Sequence, residues 1–229
     1  MKLFYSPGAC SLAPHIVLHE LGGPFAVECV AIADGDHLKP QYLKINPRGR
    51  VPALLVDGIV IRENSAILAW LGHQGTGLFP SVGSLSAARA SEWMAWLTSA
   101  VHISFAQLWR GLRFSDDATQ HASIRARWLS VIGEQFKEIE GALTGKRYAL
   151  GDTYSVVDAN LLPFYRWGSL VGFAMRPRFP NWTYHTELML ERDAVRRTIA
   201  VEGIEMWPPT DDSVRWAKND ESREARRSC

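Results

Sequence analysis

The chain has 229 residues, of which 47% are hydrophobic and 21% are charged, and its formal net charge is +1. This composition is typical of globular proteins and argues against long disordered regions. The charge lacks the basic excess that nucleic-acid-binding proteins usually carry, so no nucleic-acid partner is expected. At roughly 100 to 200 residues per domain, the length allows one large domain or two small ones.

The first 75 residues alternate between strand and helix patterns. The predicted elements in chain order are a strand at 2–5, a helix at 12–21, a strand at 25–32, a short helix at 40–45, a hairpin at 51–61 and a helix at 65–71. The hairpin rests on Asp57-Gly58, a pair that accepts the positive φ angles of a tight primed turn. The order predicts an α/β unit with a mixed sheet over residues 1–75.

The rest of the chain has helical patterns only. Four glycines and a proline within residues 72–85 predict a linker, placed at 76–85. The predicted helices that follow lie at 88–112, 117–143, 155–168, 181–191 and 193–201. We expect an all-helical domain over residues 86–205 and a solvated, charged tail over 206–229.

Cysteine content and the lack of long apolar segments indicate the compartment. Cys10, Cys29 and Cys229 are too few, and odd in number, for a disulfide framework. Free thiols fit a reducing compartment. The N-terminus lacks the apolar run of a signal peptide, and no segment approaches the roughly 18 apolar residues of a membrane span. The sequence predicts a cytoplasmic protein without a membrane partner.

Cys10 is the first candidate for chemistry. It follows a Pro-Gly turn at the start of the first predicted helix, where unpaired N–H groups and the positive end of the helix dipole meet. Such a position favours a thiolate and can lower the pKa of a cysteine from about 8.5 towards neutrality. The alternative is a small buried hydrophobe, which free cysteine usually is.

Two backbone segments are candidates for binding. If the Val51–Pro52 bond is cis, the backbone of Val51 faces outward and can pair with an extended peptide. Glu63, Asn64 and Ser65 precede a helix whose first N–H groups suit a carboxylate, and Glu63 would hold an ammonium group beside it. Plain N-capping by Asn64 or Ser65 is the alternative.

Two features of the helical half complete the candidates. His102 lies near the apolar face of a long predicted helix, as either a packed core residue or a catalyst. Ser155 and Asp158 have the spacing of a capping box, which predicts a structural role.

Six segments in order resemble the glutathione S-transferase superfamily. They are FYSPGACSLAPHIVLHELG, NPRGRVPALLVDG, IRENSAILAWL, LFP, GDTYSVVDANLLP and FPNWTYHTELMLERDAVRRTI, and the first resembles the bacterial beta class in particular. The resemblance covers about residues 1–200. It implies an α/β thioredoxin-like N-terminal domain that holds glutathione, followed by an all-α helical-bundle domain that supplies the pocket for a second substrate.

The resemblance also assigns roles to residues. Cys10 and His102 would be the catalytic residues beside the glutathione sulfur. The residues implied to hold glutathione are Arg50, Val51, Pro52, Glu63, Asn64 and Ser65. No metal is implied. The sequence departs from the superfamily at Asn64, where a serine is usual, and at the acidic loop 33–37, where relatives often have a lysine.

The implied function is conjugation of the glutathione thiolate to a small hydrophobic electrophile by a cytoplasmic, homodimeric detoxification enzyme. Phe105, Tyr165 and Trp167 are expected to line the electrophile pocket. One alternative is a glutathione-dependent thiol–disulfide reductase. The other is a non-catalytic module that binds glutathione or another ligand on the same fold.

Overall fold

A four-stranded mixed sheet with strand order β2-β1-β3-β4 organises the N-terminal half of the computed structural model, which describes residues 1–75, 77–109, 115 and 117–208. The strands are β1 (Lys2–Tyr5), β2 (Ala26–Cys29), β3 (Ala53–Val56) and β4 (Ile59–Arg62). β1 lies parallel to β2 and antiparallel to β3, and β3 lies antiparallel to β4. Central β1 carries buried Leu3 and Phe4, so apolar side chains lie on both faces of the sheet.

The predicted hairpin is confirmed. Asp57 has φ 48° and Gly58 has φ 82°, the two positive angles that a primed turn requires. β2 is shorter than the predicted strand at 25–32. The chain turns after Val30, where the Asp36 carboxylate accepts a hydrogen bond from the N–H of Ala31 at 3.2 Å.

Three helices complete this half: α1 (Leu12–Leu21), α2 (Pro40–Leu43) and α3 (Asn64–His73). α1 has the predicted bounds, and Gly22 ends it in the left-handed region with φ 71°. The first seven residues of α1 are buried, because the helix packs against α3 and against helices of the second half.

The second half is helical in the described residues. Its elements are α4 (Leu85–Trp96), a π-helical segment (Leu97–Val101), α5 (His102–Trp109), α6 (Ala118–Leu143), α7 (Val156–Leu170), α8 (Met175–Arg178), α9 (Pro180–Leu190) and α10 (Asp193–Glu202). The end of the predicted helix at 88–112 and residues 209–229 of the predicted tail lie outside the described residues. α7 and α10 pack against α1, so one apolar core includes side chains of both halves.

The predicted capping box is confirmed at the start of α7. Asp158 accepts hydrogen bonds from the backbone N–H and the hydroxyl of Ser155, at 2.8 and 3.0 Å. It also accepts the Ala149 N–H at 2.7 Å and contacts His185 at 2.9 Å. The carboxylate is fully buried, and these partners satisfy it as buried charge requires.

The tight packing around Gly168 in α7 gives a stability prediction. A Cβ at Gly168 would lie 2.5 Å from the Met175 sulfur and 2.5 Å from a Phe136 ring carbon. We expect Gly168→Ala to lower the free energy of unfolding by about 1 to 3 kcal/mol, the cost of overpacking. Gly141→Ala is the matched control, because that helical position has nothing within 4 Å. It should raise stability by about 0.4 to 1 kcal/mol in urea unfolding. Equal effects at both positions would contradict the packing described here.

Candidate active site

The turn before α1 holds Cys10 in a fixed position. The Ser11 hydroxyl accepts the N–H of Ser6 and donates to its carbonyl, both at 3.1 Å, which closes the turn. Gly8 has φ 66°, and a Cβ there would lie 2.5 Å from a guanidinium nitrogen of Arg166. Only glycine fits this approach. Cys10 itself is 9% exposed, and its thiol lies 3.6 Å from the carbonyl of Val51, to which it donates.

The Cys10 thiol differs from the sequence-based expectation of a thiolate. Burial raises the pKa of Cys10 to about 12 and outweighs the backbone N–H groups of Cys10 and Ser11, which lower it. The charges of Glu63 and Arg50 also act on this pKa, in opposite directions. The helix start supplies donors, as expected, but desolvation of the charged form is the larger effect. Cys10 is therefore a neutral hydrogen-bond donor in the unliganded protein.

This gives a measurable pH dependence. In a Cys29→Ser, Cys229→Ser double variant, the thiolate absorbance of Cys10 near 240 nm should stay below about 1% of full ionisation at pH 9. Alkylation by iodoacetamide should be correspondingly slow, because only the thiolate reacts. The same variant with Cys10→Ala gives the baseline. A titration midpoint near neutrality would contradict the burial described here.

The segment next to Cys10 contains Val51, which is 8% exposed. The Val51–Pro52 peptide bond is cis. The preceding carbonyl, that of Arg50, accepts hydrogen bonds from the Tyr42 hydroxyl at 2.6 Å and the Asn46 amide at 2.7 Å. These two hydrogen bonds hold the backbone of Arg50 in place, and its side chain is exposed.

The start of α3 forms the next part of the site. Glu63 has φ 70° and is the N-cap residue, but its side chain makes no capping bond. Its carboxylate instead lies 2.6 Å from a guanidinium nitrogen of Arg48, and both side chains are more than half exposed. The alternative of N-capping by Asn64 or Ser65 is not found, because both residues lie within α3 and their side chains bond to the helical half. The first N–H groups of α3 are thus left without a side-chain cap.

His102 is the first residue of α5, and Trp167 contacts both His102 and the turn that holds Cys10. Its imidazole lies 5.4 Å from the ring centroid of Trp167 and 6.4 Å from that of Phe164. The Trp167 indole N–H donates to the carbonyl of Gly8 at 2.8 Å. His102 is only partly buried, so it is not a fully packed core residue.

Two expected pocket liners are wrong. Phe105 and Tyr165 are both 0% exposed, and the Tyr165 hydroxyl lies 2.7 Å from that of Thr183. Trp167 is 4% exposed and packs against the partly buried Trp109, with ring centroids 4.9 Å apart. Both side chains belong to the hydrophobic core and not to a cleft.

Sequence reasoning missed Glu202, at the end of α10. One carboxylate oxygen accepts the N–H of Gly8 at 2.8 Å, and the other lies 2.9 Å from Nδ1 of His15. The side chains of His15 and Glu202 are 1% and 0% exposed. Because the contact spans 194 residues, no local motif reports it. In the sequence, Glu202 stands out only because it falls at helical spacing from Val195 and Thr198, on the face of α10 that is buried.

The described residues contain neither a candidate membrane span nor a candidate metal site. Within the described ranges, no helix is both long and apolar enough to cross a membrane. The same residues include no group of three or more His, Cys, Asp or Glu side chains arranged to hold a metal ion.

Comparison with known proteins identifies the family. The chain matches the N-terminal domain of glutathione S-transferases over residues 8–74 and their C-terminal domain over residues 113–193. The glutathione S-transferase GstA of Escherichia coli O157:H7 is 30% identical over 213 residues, which cover 89% of this chain and all of that protein. The chain belongs to the glutathione S-transferase family.

Solved glutathione S-transferase structures share the fold and point to one class. A sphingomonad glutathione S-transferase complexed with glutathione is 33% identical, with a TM-score of 0.78 over 90% of this chain and 100% of that chain. The beta-class enzyme of Sphingomonas chungbukensis is 30% identical, with a TM-score of 0.79 over the same shares. The predicted relationship and the predicted fold, a thioredoxin-like domain followed by a helical domain, are confirmed.

Proposed function

We propose that this glutathione S-transferase joins the glutathione thiolate to a hydrophobic electrophile in a cleft beside Cys10. The observation that carries the proposal is the direct contact between Cys10 and Val51, with the charges of Arg50 and Glu63 close enough to act on the thiol. The buried Cys10 thiol, the cis Val51–Pro52 segment and the uncapped start of α3 would together form the binding surface. Glutathione offers the matching groups: a thiol, an extended peptide backbone, and an α-amino acid end.

The peptide would lie across these groups in a definite order. The cysteinyl backbone of glutathione would pair with Val51, beside Pro52. Its γ-glutamyl carboxylate would accept the first N–H groups of α3 at Asn64 and Ser65, and its ammonium group would lie against Glu63. Exposed Arg50 would face the remaining carboxylate. The hydroxyl of Ser65 is already engaged, so only its backbone would serve.

The reaction follows from the state of Cys10. In the proposed complex the Val51 carbonyl accepts a hydrogen bond from the cysteinyl N–H of glutathione in place of the Cys10 thiol. The neutral Cys10 thiol can then donate to the glutathione sulfur and stabilise its thiolate. His102 would accept the proton that the glutathione thiol loses, directly or through water. The sulfur electron pair then forms the S–C bond as the carbon's leaving group departs with its bonding electrons.

Thiol–disulfide exchange is the second enzymatic reading, and a binding module without turnover is the third. Exchange needs Cys10 as an attacking thiolate, which its burial opposes. We therefore favour conjugation over exchange. A stable mixed disulfide between Cys10 and glutathione in intact-protein mass spectra would reverse that order.

Steady-state conjugation tests the proposal with glutathione and 1-chloro-2,4-dinitrobenzene as probes. We expect turnover by the wild-type protein, and a kcat lowered at least about tenfold in Cys10→Ala and in His102→Ala. Full activity in both variants would remove these residues from the mechanism. Glutathione binding in calorimetry without turnover on several electrophiles would favour the binding module, and no binding would overturn both enzymatic readings.

The proposal includes a cytoplasmic, homodimeric detoxification enzyme. Exposed apolar side chains at Ile59, Val82 and Leu85, between 70% and 85% exposed, support a covered surface near β4 and the start of α4. Light scattering after size exclusion should give twice the 25.6 kDa of one chain. A monomer at micromolar concentration would contradict the dimer.

A further inference from the structure

The start of α3 is bonded to the helix that carries His102. The Ser65 hydroxyl lies 2.7 Å from that of Thr98 and donates to the carbonyl of Met94 at 3.3 Å. Either hydroxyl of the Ser65–Thr98 pair can be the donor, and Thr98 is the donor when Ser65 donates to Met94. Thr98, Ser65 and Met94 thus form a chain of hydrogen bonds between the two halves.

Thr98 lies in an unusual part of its helix. Leu97–Val101 is π-helical, and the segment ends where the N–H of His102 donates to the carbonyl of Leu97. π-helical turns are rare and persist where the surroundings favour them. An α-helix turns about 100° per residue, so loss of the inserted residue would rotate His102 relative to α4 by that order.

One face of α7 contacts both the start of α3 and His102. Asn160, Phe164 and Trp167 follow the spacing of four and three residues that places side chains on one side of a helix. Asn160 accepts the side-chain N–H of Asn64 at 2.8 Å, and Phe164 and Trp167 pack against His102. The ring of His102 therefore packs against α7, the same helix that is bonded to the start of α3.

We propose that Thr98 is a positioning residue for His102. Its hydroxyl, through Ser65, holds the π-helical segment in the register that directs His102 to the site, and so connects the glutathione-binding start of α3 to the residue that moves the proton. The catalytic consequence rests on the proposed function, but the placement of the ring does not.

The test removes the hydroxyl with little change of shape. Thr98→Val should lower kcat about fivefold to tenfold with less than twofold change in the glutathione KM, because placement of a proton-transfer group affects the chemical step. Thr98→Ser keeps the hydroxyl and should restore kcat to within about twofold. Ser91→Ala is the matched control, since its exposed hydroxyl on α4 donates to the Ala87 carbonyl of the same helix.

A double-mutant cycle separates positioning from a general structural role. In a His102→Ala background, Thr98→Val should lower kcat no further. A further fivefold to tenfold loss there, or a Thr98→Ser variant as impaired as Thr98→Val, would overturn the proposal while leaving the proposed function intact.

NMR of the His102 ring tests its placement without any need for turnover. The His102 ring resonances, assigned by their loss in His102→Ala, should shift in Thr98→Val and not in Thr98→Ser or Ser91→Ala. Thr98→Ala is the second variant should the valine protein not fold, with the same expected shift. Unchanged resonances would overturn the proposal even if the protein proved to lack transferase activity.

Discussion

Glu202→Leu is expected to lower the free energy of unfolding by about 2 to 5 kcal/mol, because each buried group left without its hydrogen-bond partner costs about 1 to 3 kcal/mol. The leucine would leave the N–H of Gly8 and Nδ1 of His15 buried without their acceptor. Glu202→Gln keeps the size and one acceptor oxygen, so about half of that loss is expected. Urea unfolding followed by circular dichroism measures both values.

A surface carboxylate provides the control for this prediction. Glu187 on α9 pairs with Arg176 at 2.8 Å, and both side chains are about half exposed. Glu187→Leu should therefore cost no more than about 1 kcal/mol. A Glu202→Leu loss as small as the Glu187 loss would mean that the buried network contributes little. Because Glu202 holds Gly8, we also expect a higher glutathione KM in Glu202→Gln.

Glu63→Gln is expected to raise the KM for glutathione about 10- to 100-fold with kcat within about twofold. A hydrogen bond between charged groups contributes about 1.5 to 3 kcal/mol, and 1.4 kcal/mol corresponds to a factor of ten. The loss falls mainly on KM because the proposed contact of Glu63 is with the ammonium group and not with the reacting sulfur, so ground state and transition state would lose the same contact.

Two controls separate recognition of the ammonium group from loss of a surface ion pair. Glu28 on the edge strand β2 forms a comparable, partly exposed ion pair with Lys2 of β1. Glu28→Gln removes this pair and should leave the KM for glutathione unchanged. Glutaryl-Cys-Gly lacks only the amino group, so wild type and Glu63→Gln should have the same KM for it. An equal loss for both peptides would show that Glu63 does not hold the ammonium group.

The fold followed from the sequence because its signals are local. The Asp57-Gly58 turn and the Ser155–Asp158 box each act within a few residues, and both predictions are confirmed. Helical spacing located the long helices for the same reason. It could not show the π-helical segment before His102, since an inserted residue leaves the apolar pattern nearly unchanged.

The site was harder to predict because burial and long-range contacts determine it. Position alone gave Cys10 a favoured thiolate, whereas the packed side chains around the thiol reverse that preference. Phe105 and Tyr165 are apolar in the right region, but only the packed structure shows that both are fully buried. Glu202 reaches the Cys10 turn from the far end of the chain. The roles given to Cys10, His102 and the residues around Val51 and Glu63 stay predictions.

A crystal structure of the protein with reduced glutathione tests the central claim most directly. We expect the cysteinyl backbone to pair with Val51, the γ-glutamyl end to lie at Glu63 and the start of α3, and the ligand sulfur to lie within hydrogen-bond reach of the Cys10 thiol. A tripeptide bound elsewhere, or a sulfur separated from Cys10 by intervening side chains, would contradict it.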